Sequence, residues 1–212
     1  APAAAARMIE RTVADTGIER TLKSWMLLDN HDTARLATTL PNAAQRRLAQ
    51  VLQFTLPGSP NLYYGSELGM VGGDDPQMRA PMRWDLVNEA NAELRWTRQL
   101  IALRRQHRAL RVGEFRRIET DQLLAFERHT DRVADAVMVI VNPSDKPVSE
   151  SVLVPDSKLM NVAPMLNLLD PGTKPAPMIA GLISVSLPPH GVLLLAPDTR
   201  PLGGYTTYKR VQ

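Results

Sequence analysis

The sequence predicts an α/β segment followed by an all-β domain, and three features carry that expectation. Up to about residue 108, helical and strand-like stretches alternate in the order helix, strand, helix, strand, helix. Beyond it, short runs of Val, Leu and Ile are separated by turn residues. Polar clusters follow each of the two early strands at once, the place where parallel strands with crossover helices gather their functional groups.

Residues 3–15 are Ala-rich, with Met8, Ile9 and Val13 at helical spacing, and predict a helix ending near Gly17. Residues 25–28 are apolar and read as a short buried strand that runs straight into Asp29, Asn30, His31 and Asp32. Asn42 reads as the cap of a helix with Ala44, Leu48, Val51, Leu52 and Thr55 on one face, stopped by Pro57, Gly58 and Pro60. Residues 61–64 form the second expected strand. The stretch from Gly65 to Asp85 has neither period and reads as a loop. Asn91 then caps a helix to about His107, with Ala92, Trp96, Leu100 and Leu103 along its inner stripe.

The later strands are expected at 114–118, 123–127, 136–141, 151–154, 183–187 and 192–196. Asn142-Pro143-Ser144-Asp145, Pro171-Gly172 and Pro188-Pro189-His190-Gly191 punctuate them, and residues 171–177 read as a Pro-rich loop. This is the pattern of an antiparallel β-sandwich. The two units are therefore expected at 1–108 and 109–212.

At 212 residues and 44% hydrophobic, the chain can bury a real core. Its net charge of +3 comes from interspersed signs, and no nucleic-acid partner is expected. Arg104, Arg105, Arg108 and Arg111 come closest to a basic patch and lie at the end of an expected helix, where cations complement the helix dipole. The absence of Cys excludes disulfides, thiolate metal sites and cysteine nucleophiles. No stretch approaches the ~20 apolar residues that cross a bilayer, so no membrane partner is expected. A soluble protein follows, with cytoplasm and periplasm or secretion all open. The opening Ala-Pro-Ala-Ala-Ala-Ala-Arg, without Met, reads as a chain cut from something longer.

The segment Leu27-Leu28-Asp29-Asn30-His31-Asp32-Thr33-Ala34-Arg35 is the strongest candidate site. A carboxylate and an imidazole at a strand end suit sugar hydroxyls, because the carboxylate accepts from two neighbouring hydroxyls while His donates. Local backbone bonds by Asn30 and Asp32 are the plainer alternative.

This segment resembles the fourth conserved segment of the α-amylase family of glycoside hydrolases, whose core Asn-His-Asp ends the seventh strand of a (β/α)8 TIM barrel. Pro57-Gly58-Ser59-Pro60-Asn61-Leu62-Tyr63-Tyr64-Gly65-Ser66-Glu67-Leu68-Gly69-Met70 resembles the eighth strand and its loop. Asp74-Asp75-Pro76-Gln77-Met78-Arg79-Ala80-Pro81-Met82-Arg83-Trp84 resembles a stretch of amylases and of the neopullulanase, cyclomaltodextrinase and maltogenic-amylase branch. Three motifs in the family's order are far more specific than any one.

The resemblance implies the C-terminal part of the barrel, strands seven and eight with their helices, followed by the family's C-terminal domain. It implies a retaining enzyme acting on α-1,4-glucosidic bonds of starch, maltooligosaccharides or cyclodextrins, with a glucosyl-transferring or isomerising relative such as a trehalose synthase as the alternative. A non-catalytic carbohydrate-binding module is the reading from another class.

Asp32 matches the catalytic carboxylate that binds and distorts the sugar at the cleavage subsite, and His31 matches a histidine bonded to that sugar. Asn30 matches the motif's first residue and is expected to position rather than contact. Asp75 and Arg79 match a pair that contacts the next sugar on the non-reducing side, with a loop salt bridge as the open alternative. Tyr63 and Tyr64 suit stacking on a sugar face, although a strand position points to burial; Trp84 reads as packing.

Retaining hydrolysis also needs a nucleophile and an acid/base carboxylate about 5 Å apart. In the family both lie on strands four and five, and Asp29, Glu67, Asp74, Asp75 and Asp85 match neither motif. The chain by itself is expected to be inactive, with a second chain or segment carrying strands one to six as its partner. No cofactor is expected; calcium, used by many members, stays possible, with Asp74 and Asp75 as candidate oxygen ligands, but two carboxylates fall short of a Ca²⁺ shell.

Overall fold

The computed structural model describes residues 2–155, 159, 161 and 163–199. The first helix, α1 (Pro2–Thr16), lies where the Ala-rich period puts it, and Gly17 joins it to a one-turn helix that sequence periodicity does not reveal, α2 (Ile18–Leu22). Then come β1 (Trp25–Met26), the short α3 (Leu36–Thr39), α4 (Ala43–Thr55) and β2 (Ser59–Pro60). Helix α4 starts where expected because the Asn42 side chain accepts from the Ala44 N–H at 2.8 Å.

Strands β1 and β2 pair in parallel, Trp25 opposite Ser59 and Met26 opposite Pro60. Both differ from expectation. The first is two residues long rather than four, and Trp25 is 71% exposed. Among the described residues β1 pairs with β2 alone, so nothing covers the indole. The second strand lies at 59–60 rather than 61–64. A parallel ladder draws donors from alternate residues: Ser59 N–H donates to Ser24 at 2.8 Å and Asn61 N–H to Met26 at 3.0 Å. Pro60 sits between them, where no N–H is required, so the residue that looked like a helix stop is part of the ladder. Gln53, buried on α4, fastens the pair by donating to the Met26 and Asn61 carbonyls.

After a long connection of short 3₁₀ turns comes α5 (Ala92–Gln106), capped by Asn91, whose side chain accepts from the N–H groups of Glu93 and Leu94. Its buried stripe is Leu94, Thr97, Leu100 and Leu103; Ala92 is exposed. The stripe is rotated because Leu94 packs with Leu68 and Met70 of the long connection. Next, α6 (Arg108–Val112) straddles the expected boundary at 109.

The remaining elements are β3 (Glu114–Ile118), β4 (Leu124–His129), β5 (Val137–Val141), β6 (Val148–Leu153), β7 (Pro164–Asn167), β8 (Ala176–Pro177), β9 (Leu182–Leu187) and β10 (Val192–Pro197). They form an antiparallel sheet in the order β3-β4-β5-β10-β7-β8 and an antiparallel pair, β6-β9. The run expected at 151–154 is the tail of β6. Strand β7 falls outside the expected runs, and β8 is a two-residue edge strand inside the segment read as a loop, a position that tolerates Pro.

Strict alternation divides the apolar residues of the large sheet between two cores. Met138, Ile140, Ala125 and Leu195 pack with Val148, Val152, Ile183, Val185 and Leu187 of the small sheet. Val137, Val139, Val141, Leu124, Phe126 and Leu194 face the other way, onto Ala6, Val51, Phe54, Leu100, Leu103 and Leu110 of the helices. The helical segment and the large sheet thus share one core across residue 109. No helix among the described residues is long and apolar enough to cross a membrane.

Arg128 has the parity of Leu124 and Phe126 and enters that shared core. It donates to the carbonyls of Thr55 at 2.7 Å, Gly113 at 2.8 Å and Glu114 at 3.2 Å. Arg104 donates to Phe54 and Gly58. The C-terminal carbonyls of a helix have no intrahelical partners, and at the end of α4 two guanidinium groups supply them. Burial pushes Arg128 down to about 9 and Arg104 down to about 10, both still cations at neutral pH. Of the four arginines at the end of this helical region, Arg105, Arg108 and Arg111 are exposed, whereas Arg104 is half-buried and drawn to the carbonyls of Phe54 and Gly58.

Replacing Arg128 by Met keeps the apolar stem and leaves those carbonyls without donors. The expected cost is about 3 kcal/mol or more in urea unfolding, against about 0.5 kcal/mol or less for the exposed Arg105→Met. Equal effects would remove Arg128 from this role.

Candidate active site

Because β1 and β2 run parallel, the segments that leave their C-terminal ends start side by side. Two buried polar residues fix these segments to each other. Asp29, 5% exposed, accepts through Oδ2 from the Leu36 N–H at 2.9 Å and from the Ser66 hydroxyl at 2.7 Å. Arg35 is fully buried, and its Nη1 donates to the Tyr64 carbonyl at 2.6 Å. Its guanidinium carbon lies 4.7 Å from the ring centroids of both Tyr63 and Tyr64, while its backbone N–H donates to the Gly72 carbonyl at 2.9 Å. Arg35 Nε and Nη2 have no acceptor among the described residues, and the two π faces stand in for one.

This arrangement corrects the reading of Tyr63 and Tyr64 as buried strand residues. They lie beyond β2, Tyr63 part-buried and Tyr64 exposed, as the two jaws around Arg35. The Tyr64 hydroxyl donates to the Ala80 carbonyl at 2.8 Å. Desolvation, and then the hydrogen bond with Tyr64, push the Tyr63 phenol above its usual range. Gly65 follows with φ +82°, and a Cβ there would meet Met70 Sδ at 2.3 Å, so the turn favours glycine and any side chain would be strained.

Above this layer the chain forms a tight turn. Asn30 Oδ1 accepts from the Asp32 N–H at 2.8 Å, and the Asn30 N–H donates to Thr33 Oγ1 at 3.1 Å. Asn30 therefore shapes the turn through local side-chain bonds. His31 Nε2 lies 3.2 Å from Asp32 Oδ2, and Arg79 Nη2 lies 3.3 Å from Asp32 Oδ1. Arg79 Nε donates to the His31 carbonyl at 2.9 Å. The Asp75–Arg79 pair is present but long, at 3.7 Å. All five sequence-selected residues thus meet at one place, and Asp32, 64% exposed, faces open solvent.

The neighbouring carboxylate Asp85 is taken up by Arg83, Nε to Oδ1 at 2.8 Å and Nη2 to Oδ2 at 2.6 Å. That pair holds the Asp85 carboxyl below its ordinary range and raises the Arg83 guanidinium. Trp84, expected to pack, is 74% exposed; Leu86 and Met82 instead turn toward Leu68, Met70 and Leu94. A concavity of about 530 Å³ bounded by Met70, Val71, Pro81, Met82 and Leu86 lies in the same connection but is lined by none of the five site residues. Among the described residues no group of three or more His, Cys, Asp or Glu side chains converges.

Comparison with known proteins places this geometry. The description "Alpha amylase, catalytic domain" matches residues 3–128. The chain belongs to the α-amylase family. It is 36% identical over 177 residues to a cyclomaltodextrinase of Geobacillus thermopakistaniensis, covering 82% of this chain and 29% of that protein. It is 35% identical over 135 residues to neopullulanase 2 of Thermoactinomyces vulgaris, covering 63% of this chain and 23% of that one. Among solved structures, the acarbose-soaked debranching enzyme of Nostoc punctiforme superposes with a TM-score of 0.69 at 25% identity, over 92% of this chain and 38% of that one. This chain of the family therefore spans under a third of the length of these two curated relatives.

Sequence reasoning passes over Asp29 and Arg35, although both lie in the quoted motif. A charged residue in a strand-end loop reads as solvated, and only their placement between two segments about 30 residues apart shows that they are buried. Arg35→Ala removes a donor and leaves a cavity between two rings. It should lower stability by about 2–4 kcal/mol in denaturant unfolding and speed tryptic cleavage after Arg79 and Arg83. Unchanged cleavage there would show that Arg35 does not hold the connection.

Proposed function

We propose that this chain is part of a retaining glycoside hydrolase acting on α-1,4-linked glucans, with maltooligosaccharides or cyclodextrins as substrates. On this reading β1 and β2 are strands seven and eight of a (β/α)8 barrel, and β3 to β10 belong to the C-terminal β-sandwich domain expected at 109–212, of which residues 200–212 lie outside the described residues. The observation that carries it is the meeting of Asp32, His31 and Arg79, from two segments far apart in sequence, at the C-terminal ends of two parallel strands. That end is where barrel enzymes of this class place their chemistry. The relatives named cyclomaltodextrinase and neopullulanase support the substrate class.

Asp32 accepts from hydroxyls of the sugar at the cleavage subsite, and His31 donates to the same sugar. These bonds strengthen as the ring flattens toward an oxocarbenium ion. Asp75 and Arg79 face the adjoining sugar on the non-reducing side. The nucleophile and the acid/base carboxylate belong to a partner segment carrying strands one to six. Support for such a partner comes from β1 and β2, which among the described residues pair only with each other, leaving a ladder edge open on each side.

In the enzyme assembled from both parts, Asp32→Asn should lower kcat on maltooligosaccharides by about 10²-fold or more while the fold is kept, the scale of losing one group that meets developing charge. Near-normal turnover would remove Asp32 from the mechanism.

A further inference from the structure

The bonds around Asp32 give Arg79 a task separate from touching sugar. A carboxylate turns almost freely about its last side-chain torsion, and one that must accept from particular hydroxyls needs that rotation fixed. Each Asp32 oxygen has its own nitrogen: Oδ1 has Arg79 Nη2 at 3.3 Å, and Oδ2 has His31 Nε2 at 3.2 Å. The shorter bond of Arg79 goes elsewhere, from Nε to the His31 carbonyl at 2.9 Å. The guanidinium is thus seated on the main chain of the turn, and its planar fork presents Nη2 to the carboxylate from a fixed place. Asp75, at 3.7 Å, is a weaker hold than either.

We infer that Arg79 is a positioning residue: anchored on the His31 carbonyl, it sets the rotation of the Asp32 carboxylate, with His31 as the opposing jaw. This rests on the function proposed above. It differs from a sugar contact in one respect, since a positioning residue matters even when the adjoining subsite is empty. Lysine keeps the charge, but its single nitrogen cannot hold the fork geometry between a carbonyl and a carboxylate.

The test uses the assembled enzyme with two substrates: α-glucosyl fluoride, which fills only the cleavage subsite, and maltotriose. Arg79→Lys should lower kcat on α-glucosyl fluoride about tenfold or more with KM within about twofold, the signature of a misplaced reacting group. Arg83→Lys, in the same connection but bonded to Asp85, should leave that kcat within about twofold. Thermal midpoints of both variants report on folding. The inference is overturned if Arg79→Lys keeps full kcat on α-glucosyl fluoride and raises only KM for maltotriose, which is the behaviour of a sugar contact alone. It is also overturned if both variants lose kcat equally, which would mean a disturbed loop. If the unsubstituted enzyme cleaves neither glucoside, the proposed function falls and this inference falls with it.

Discussion

The ladder between β1 and β2 is two residues long, too short to hold the segments beyond it in a fixed relation. Asp29 and Arg35 do that from below. The carboxylate bridges a backbone N–H on one side and a hydroxyl on the other, and the guanidinium is gripped by a carbonyl and two aromatic rings. A buried carboxylate or guanidinium without partners is strongly unfavourable, so each is in effect committed to the arrangement that supplies them. The turn carrying Asn30, His31 and Asp32 is built on that layer.

The exposed groups above it behave differently. Ion pairs in open solvent contribute little to stability, and the Asp32, His31, Arg79 and Asp75 contacts are all of this kind. Their significance is geometric. The same contacts would strengthen wherever water was excluded from them. The two layers differ in kind: buried polar residues fix the backbone, and the solvent-facing ones pair with one another at the surface.

A similar division joins the helical segment to the large sheet. Their common core is apolar, but its alignment is set by Arg104 and Arg128, which collect the unpaired carbonyls at the end of α4 and around Gly113. Helix α1 is tied to the same sheet by the Arg117–Glu10 pair. The two textures read from sequence are therefore one packed body among the described residues, even though their local patterns change near residue 109.

The sequence by itself determined the helices with Asn caps, most of the later strands, and all five residues that meet at the site, because caps, alternation and motif order are local or linear properties. It misplaced β2, since whether Pro60 breaks or joins a strand depends on which N–H groups the neighbouring strand needs. It took Trp25 and Trp84 for buried residues, because hydrophobicity predicts burial only where something is present to cover it. Tertiary structure alone decided that Arg35 and Arg128 are buried and Arg104 half-buried, since Arg104 and Arg128 are held by carbonyls, and Arg35 by a carbonyl and two rings, that only the folded chain brings together. It also decided that Arg79 reaches Asp32 more closely than Asp75: spacing of four residues marks a possible pair, whereas the position of the His31 carbonyl determines which acceptors the guanidinium reaches.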